Sequence, residues 1–349
     1  MSVQKKSGNP FGLHRVISPK GALPQPAQKL DNCMDHIWDN EIMIDVEFMN
    51  VDAASFNQIK NQAGNEADKI KEIILNIIDE RGKLQNPVTG SGGMFVGTVA
   101  MVGNKIKSPA LKPGDRIASL VSLSLTPLKI DKIIQVNTSS AQIAVKGKAI
   151  LFESGIYAKM PEDFSSRLAL AVLDVCGAPI QTERLARPGD TVVIIGVTGK
   201  SGLLSVYAAR RKVGPSGTVI GIGRSKKKCK DLDRLGFCND VLCLDATDAW
   251  TCYQKISSIT KGRMADLVIN CVSIPNTEMA SILACRENGT VYFFSMATSF
   301  TKAALGAEGV GKDINMVIGN GYARGHAEYA LNILRESPPL NNLFESLYS

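Results

Sequence analysis

The chain changes texture near its middle. In the first half, apolar and polar residues alternate over short stretches. Glu41 to Met49 (EIMIDVEFM) alternates strongly enough to predict a half-buried antiparallel strand. Phe95 to Val102 (FVGTVAMV) predicts another, and Leu111 to Ala118 (LKPGDRIA) predicts a turn at Pro113-Gly114-Asp115 feeding a further strand. Between them, Asp68 to Ile78 (DKIKEIILNII) has the apolar period of a helix with one buried face. Short strands broken by Gly and Pro predict a β-barrel-like domain.

The second half is built differently. Val192 to Ile195 is an unbroken β-branched run, the pattern of a strand covered on both faces. Gly217 to Gly223 (GTVIGIG), Asp240 to Leu244, Ala265 to Cys271 (ADLVINC) and Gly289 to Met296 (GTVYFFSM) repeat that pattern. Helix-length segments separate them, as a parallel doubly wound sheet requires. The fold class expected is therefore α/β. A PGD turn recurs at Pro188-Gly189-Asp190, and no other internal repeat is convincing.

The junction after the first of these strands carries chemistry. Gly196, Gly199 and Gly202 follow it at three-residue spacing, and LLSVYAARR continues with a helical period. The first glycine permits a tight turn, the second lets backbone approach a pyrophosphate, and the third lets helix and strand pack closely. A pyrophosphate then sits on free N–H groups of the helix start. This context reads as a dinucleotide site in which Gly196, Thr198, Gly199, Lys200, Ser201 and Gly202 surround the phosphates. An NAD site usually has Asp or Glu after the second strand. Here stand Arg224, Ser225, Lys226, Lys227 and Lys228. Arg and Ser accept a 2′-phosphate through charge-assisted hydrogen bonds, which favours NADP and leaves NAD open. Lys227 and Lys228 read equally well as a solvated helix start. Cys271 and Val272, ending the fourth strand, and Ser295 and Met296, ending the fifth, are expected to border the nicotinamide side.

Composition narrows the class. The net charge of +7 over 349 residues is spread along the chain, and no basic face interleaved with aromatics points to nucleic acid. No apolar run is long enough to span a bilayer, and the N-terminus lacks a signal-peptide core. The eight cysteines include no CxxC pair and read as reduced thiols in a cytoplasm. Cys229, Cys238, Cys243 and Cys252 have spacings that suit no zinc site and read as packing residues.

The order of a barrel-like domain, PGDR at Pro113 to Arg116, PGDTVVIIG at Pro188 to Gly196, and GxxGxxG resembles the medium-chain dehydrogenase/reductase superfamily. Within it, Asn50 to Phe56 (NVDAASF), Thr89 to Val99 (TGSGGMFVGTV) and Leu173 to Val192 (LDVCGAPIQTERLARPGDTV) resemble the L-erythro-3,5-diaminohexanoate dehydrogenase family. The resemblance implies a GroES-like barrel at 1–175, a Rossmann sheet at 176–305, and a segment at 306–349 returning to the catalytic domain or cleft. It also implies a homodimer, with the fifth strand continuing across the interface. The activity implied is NAD(P)-dependent oxidative deamination of a small amino acid, 3,5-diaminohexanoate, to 5-amino-3-oxohexanoate and ammonia in lysine fermentation. Two other readings stay open: a zinc-free quinone or enoyl reductase of the same superfamily, and a dinucleotide-binding protein without catalysis.

Many members of the superfamily use zinc. Of their three ligand positions the first falls near Asp52, the second near Gly90-Ser91-Gly92, and only Cys176 matches its counterpart. One thiolate and one carboxylate do not make a catalytic zinc site, so no metal is expected. The three histidines, His14, His36 and His326, read as surface or capping residues. A carboxylate general base replaces the metal in this reading. By family position the candidates are Asp174, Glu153 and Asp52, with Ser91 and Cys176 beside them. Asp52 reads equally as a helix N-cap, and Cys176 as a small core residue. Arg184, Arg324 and Lys159 are candidates for the substrate carboxylate, and Tyr322 and His326 for the cleft wall.

Overall fold

The computed structural model describes residues 2–4, 6–106, 111–319 and 321–348. The chain divides into two compact units, Met1–Leu170 and Ala171–Ser349.

In the first unit β1 (Glu41–Val51) runs into α1 (Ala53–Gln62) and α2 (Ala67–Arg81). Then come β2 (Gly93–Val102), β3 (Arg116–Ser119), β4 (Leu128–Asn137), β5 (Gln142–Phe152) and β6 (Tyr157–Lys159). These make one antiparallel six-stranded sheet in the order β6-β3-β2-β1-β5-β4. Register shifts beside Met43, Val46, Ile130 and Ile133 are bulges, which bend a sheet and increase its twist. The helical period anticipated around Asp68 to Ile78 is realised in α2. Its buried Ile70, Ile74, Ile77 and Ile78 join Ile42, Ile44 and Val46 of β1 in one core.

β1 departs from the half-buried strand that its alternation predicts. Asp45 is its one exposed residue. On the face opposite the main core, Met43 packs with Met34, Ile37, Ile150 and Phe152. Glu41, at the start of β1, is fully buried and receives Arg15 in two bonds, Nε to Oε1 at 2.9 Å and Nη2 to Oε2 at 2.7 Å. The His14 ring and the Trp38 N–H complete its shell. A charge pair out of water needs this degree of satisfaction. The unit ends within α3 (Ser166–Leu173).

The second unit continues with α4 (Gly177–Leu185) and then a sheet of six parallel strands. These are β7 (Thr191–Ile195), β8 (Thr218–Gly223), β9 (Asp240–Cys243), β10 (Ala265–Asn270), β11 (Cys285–Phe293) and β12 (Asn315–Ile318). The order is β9-β8-β7-β10-β11-β12. Crossovers run through α5 (Lys200–Val213), α6 (Lys226–Asp233), α7 (Ala249–Thr260), α8 (Glu278–Ala284) and α9 (Phe300–Gly309). Residues 192–195 of β7 are wholly buried, as the β-branched run requires. The connection leaves β7 towards β8 on one side, and β10 lies on the other. Such reversals are where open parallel sheets bind ligands. α10 (His326–Glu336) packs on α4 and α5, and α11 (Pro338–Tyr348) follows it.

Two details differ from expectation. β11 starts at Cys285 and ends at Phe293, with Asn288 at φ 58° and a register shift beside Ala265. β12 is a sixth strand that the pattern did not predict. It pairs with β11, so the fifth strand is not the edge of the sheet. Among the described residues no helix is long and apolar enough to cross a membrane.

Candidate active site

β7 ends by turning sharply. Gly196 adopts φ 85°, and a Cβ there would lie 2.9 Å from Val272 Cγ2. Only glycine takes this conformation without strain. At Gly202 a Cβ would meet the Gly196 carbonyl oxygen at 2.3 Å and Val197 Cα at 2.7 Å, so its missing side chain is what lets α5 press against the turn. Gly199 differs. Its φ is −89°, and a Cβ would meet nothing closer than the Gly196 oxygen at 3.5 Å. The protein itself does not require glycine at 199; the space above it is open.

Gly199 caps α5, so the N–H groups of Lys200, Ser201 and Gly202 lack acceptors within the helix. They complete an anion-binding helix start. A cavity of about 290 Å³ opens beside it, lined by Gly196, Thr198, Gly199, Arg224, Cys271 and Val272 among others. The structure thus gathers these six sequence candidates at one site. Ser225 stands next to Arg224 and caps α6, accepting from the Lys228 N–H at 3.4 Å. Burial pushes the Cys271 thiol up to about 12, against a smaller downward pull from the neighbouring Ser201 and Ser205 hydroxyls. Ser295 and Met296 lie past the end of β11 and do not line the cavity; Met296 is 77% exposed.

The cavity has further walls that the pattern reading passed over: Leu244, Asp245 and Ala246 after β9, and Ser273 and Ile274 after β10. The strand-end rule, applied to the third strand as to the others, finds them. The Asp245 carboxyl is held below its ordinary range, first by the Thr247 N–H and hydroxyl and then by the Arg224 charge. Asn270 organises the loop after β10. Its buried amide donates to Thr277 Oγ1 and Ser281 Oγ, each at 2.9 Å, and its Oδ1 accepts the Val272 N–H at 3.0 Å.

The catalytic candidates separate. In the first unit Asp52 caps α1, its Oδ1 accepting the Ser55 N–H at 3.0 Å. Its Oδ2 accepts from the Ser91 hydroxyl at 2.7 Å. Ser55 Oγ lies 2.8 Å from Ser91 Oγ and 2.5 Å from Thr89 Oγ1, forming a hydroxyl cluster that no sequence spacing announced. Asp52 is half-buried and has no cation within ion-pair distance among the described residues. Glu153 does not join this cluster. The register of β1 and β5 sets Glu41 beside Phe152 and Asn50 beside Gln142, so Glu153 and Asp52 lie beyond opposite ends of β1, roughly 30 Å apart by strand rise. Glu153 is exposed and accepts from Asn40 Nδ2 at 3.1 Å.

In the second unit Asp174 pairs with Lys200 at 3.2 Å, already balanced by a cation of the phosphate turn. Cys176 is buried at the start of α4, and burial, followed by the Asp174 charge, pushes its thiol pKa upward. The donor set does not suit zinc. Ser91 spends its hydroxyl on Asp52, and Cys176 is held as a neutral thiol, whereas Zn²⁺ takes thiolate, imidazole and carboxylate. No group of three His, Cys, Asp or Glu suited to a metal occurs among the described residues.

The histidines correct the surface reading. The His14 side chain is 9% exposed and bonds Glu41 at 2.7 Å. His326 is 3% exposed, follows Gly325 at φ 81°, and meets Tyr322 edge-on at 5.2 Å. Its pKa is lowered by burial and then by the Arg184 charge. His36 sits half-buried in a short strand. Arg184 Nη2 donates to the Arg324 carbonyl at 3.3 Å, and Lys159 pairs with Asp115 at 3.0 Å.

Residues 14–161 match the family model described as the L-erythro-3,5-diaminohexanoate dehydrogenase N-terminal domain. The chain is 55% identical to L-erythro-3,5-diaminohexanoate dehydrogenase of Acetoanaerobium sticklandii, over 98% of this chain and 99% of that one. It is 51% identical to the enzyme of the same name from Fusobacterium nucleatum subsp. nucleatum, over the same shares. A solved quinone oxidoreductase of Pseudomonas syringae pv. Tomato DC3000 shares the fold, with TM-score 0.53 and 16% identity over 88% of this chain and 81% of that one. Its medium-chain dehydrogenase/reductase architecture matches the one anticipated from the PGD turns and the glycine motif. Identity above one half over nearly the whole of both chains places the chain in the L-erythro-3,5-diaminohexanoate dehydrogenase family.

Proposed function

We propose that the protein oxidatively deaminates L-erythro-3,5-diaminohexanoate at C3 with NAD(P)⁺ and water, giving 5-amino-3-oxohexanoate, ammonium and NAD(P)H. The observation that carries this reading is the family relationship at 55% identity over nearly the whole chain. The site supports it independently. Open space over Gly199, acceptorless N–H groups at the start of α5 and the adjoining cavity fit a dinucleotide. Gly196 to Gly202 would hold its pyrophosphate, and Arg224 with Ser225 its ribose or 2′-phosphate. Cys271 and Val272, which line the cavity, would border the nicotinamide. When bound, this cofactor supplies the hydride acceptor.

Asp52 is the general base. An amine is protonated in water, and its carbon yields hydride only after the ammonium loses a proton. Asp52 offers a half-buried carboxylate without a cation partner, which an ammonium would neutralise. The Ser55 N–H and the Ser91 hydroxyl fix its two oxygens and so its direction. Asp174 is less suited, because Lys200 already neutralises it. After oxidation the resulting iminium takes up water, and the same carboxylate shuttles protons until ammonia leaves. NADP is the favoured cofactor, because Arg224 faces the cavity and no acidic residue follows β8 directly. The protein acts as a homodimer. The free edge of β12, with exposed Ile318 and with Met296, Phe300 and Leu305 exposed in the neighbouring segments, supplies the surface.

Incubation with 3,5-diaminohexanoate and either NAD⁺ or NADP⁺ tests the reading. Reduced nicotinamide and ammonia should appear together, faster with NADP⁺, and Arg224→Ala should remove that preference. Absence of turnover from protein shown to bind NADPH would overturn it in favour of a C=C or carbonyl reductase.

A further inference from the structure

Behind the wall of the dinucleotide cavity lie two thiols that the proposed reaction does not use. Cys243 ends β9 and stands opposite Gly223 of β8 in the sheet register. Gly223 has no side chain, and its place is taken by neighbours. A Cβ there would come within 2.9 Å of Cys229 Sγ, from α6, and 2.8 Å of Thr198 Cγ2. Cys229 Sγ thus fills the space beside Gly223 that Cys243 adjoins on the next strand, and burial first, then the neighbouring Cys243, pushes the Cys229 thiol up to about 11. Cys243 Sγ donates to the Arg224 carbonyl at 3.3 Å. Cys229 is buried, whereas Cys243 is the one exposed cysteine among the described residues, which corrects its reading as packing.

We infer that Cys229 and Cys243 form a redox-sensitive dithiol whose closure to a disulfide weakens dinucleotide binding. The consequence for binding rests on the dinucleotide reading above; the thiol chemistry does not. With a peroxide as oxidant, the exposed Cys243 attacks one peroxide oxygen, giving a sulfenic acid and releasing water. The Cys229 sulfur then displaces hydroxide from the sulfenic sulfur, forming the S–S bond and a second water. Two thiols lose two electrons and two protons, and the peroxide is reduced to two waters.

A disulfide draws the sulfurs to about 2.05 Å, closer than any unbonded pair. Closure removes the S–H donor from the Arg224 carbonyl and pulls α6 towards the end of β9. Arg224 and the cap residue Ser225 lead directly into α6, so the residues proposed to read the ribose or 2′-phosphate shift with it. Among the other thiols, half-buried Cys238 also neighbours Cys229, and a Cys229–Cys238 link in its place would overturn the pairing. Cys271 and Cys252 are buried, and Cys33 belongs to the first unit.

The test uses the full-length reduced protein, treated with hydrogen peroxide, alkylated and digested. The expected product is a single linked peptide joining Cys229 to Cys243. NADPH affinity should fall about tenfold, the effect of losing one charge-assisted contact, and dithiothreitol should restore it. Cys243→Ser, an exposed and conservative change, should bind NADPH normally and resist peroxide; Cys229→Ala should do the same. The inference is overturned by peroxide-treated protein with no such link, by linked protein that binds NADPH within twofold of the reduced form, or by C243S that loses affinity as the wild type does. The link is read without cofactor. Reduced protein that failed to bind NADPH would instead remove the dinucleotide reading, and the coupling with it.

Discussion

Gly199→Ala separates a glycine kept for a ligand from one kept for the fold. At 199 the new methyl meets only the Gly196 oxygen, at 3.5 Å, which is ordinary contact. Alanine is a poorer N-cap than glycine by several tenths of a kcal/mol, and its stiffer unfolded chain returns about 0.4–1 kcal/mol. The two nearly cancel, so unfolding in urea without cofactor should change by less than about 0.5 kcal/mol. A bound pyrophosphate, however, would have to share that space. Overpacking of one methyl costs about 1–3 kcal/mol, which is roughly a 5- to 150-fold rise in NADPH Kd. Gly202→Ala is the control. Its methyl would sit 2.3 Å from the Gly196 oxygen, where contact needs about 3.4 Å, so α5 must retreat by about 1 Å from backbone that cannot yield. That variant should lose both stability and binding. NADPH fluorescence titration and urea unfolding of both variants make the comparison. If G199A bound NADPH within twofold of wild type, no phosphate would pass over residue 199 and the cradle would be misassigned.

Asp52→Asn keeps a good N-cap, so stability should hold within about 0.5 kcal/mol while kcat falls about 10²- to 10⁴-fold; kcat within threefold of wild type would remove Asp52 as the base. Glu41→Gln leaves the buried Arg15 only the part-exposed Asp31, at 3.3 Å, as a charged partner, and should cost about 3 kcal/mol by urea unfolding; a loss below about 1 kcal/mol would show the pair to be dispensable. Glu41 also predicts acid sensitivity. Burial alone would raise its pKa, but bonds from His14 and Arg15 and the Arg15 charge bring it to about 2, against 4.5 when unfolded. Its contribution is complete above 4.5 and is lost as pH falls towards about 2, so wild type should lose more stability across that window than E41Q. His326 works in a higher window. The fold prefers its neutral ring, so stability is full above the unfolded value of 6.5 and declines as pH drops through the lowered folded value. His326→Gln should flatten that decline, and an unchanged slope would show that other groups cause it.

What the sequence determined by itself was local. The β-branched run at 192–195, the helical period around Asp68 to Ile78 and the glycine spacing at 196–202 each encode their conformation within a few neighbours. The parallel sheet and the phosphate turn were therefore readable, and Asp52 with Ser91 was reachable through family position. Tertiary structure decided what depends on residues far apart in the chain. β1 lost its exposed face because Met34, Ile37 and the Arg15–Glu41 pair fold over it, which no alternation within 41–49 encodes. β12 was hidden because an edge strand needs no continuous apolar run; its residues are exposed or half-buried and owe their conformation to hydrogen bonds from β11. Glu153 and Asp52 were set apart by the antiparallel register of β1 and β5, a choice made by pairing across about a hundred residues. Ser55, Thr89 and Ser91 met because α1 and the loop before β2 converge on one end of β1. Backbone conformation is written in near neighbours, whereas a site is a meeting of side chains that only the closed fold brings together.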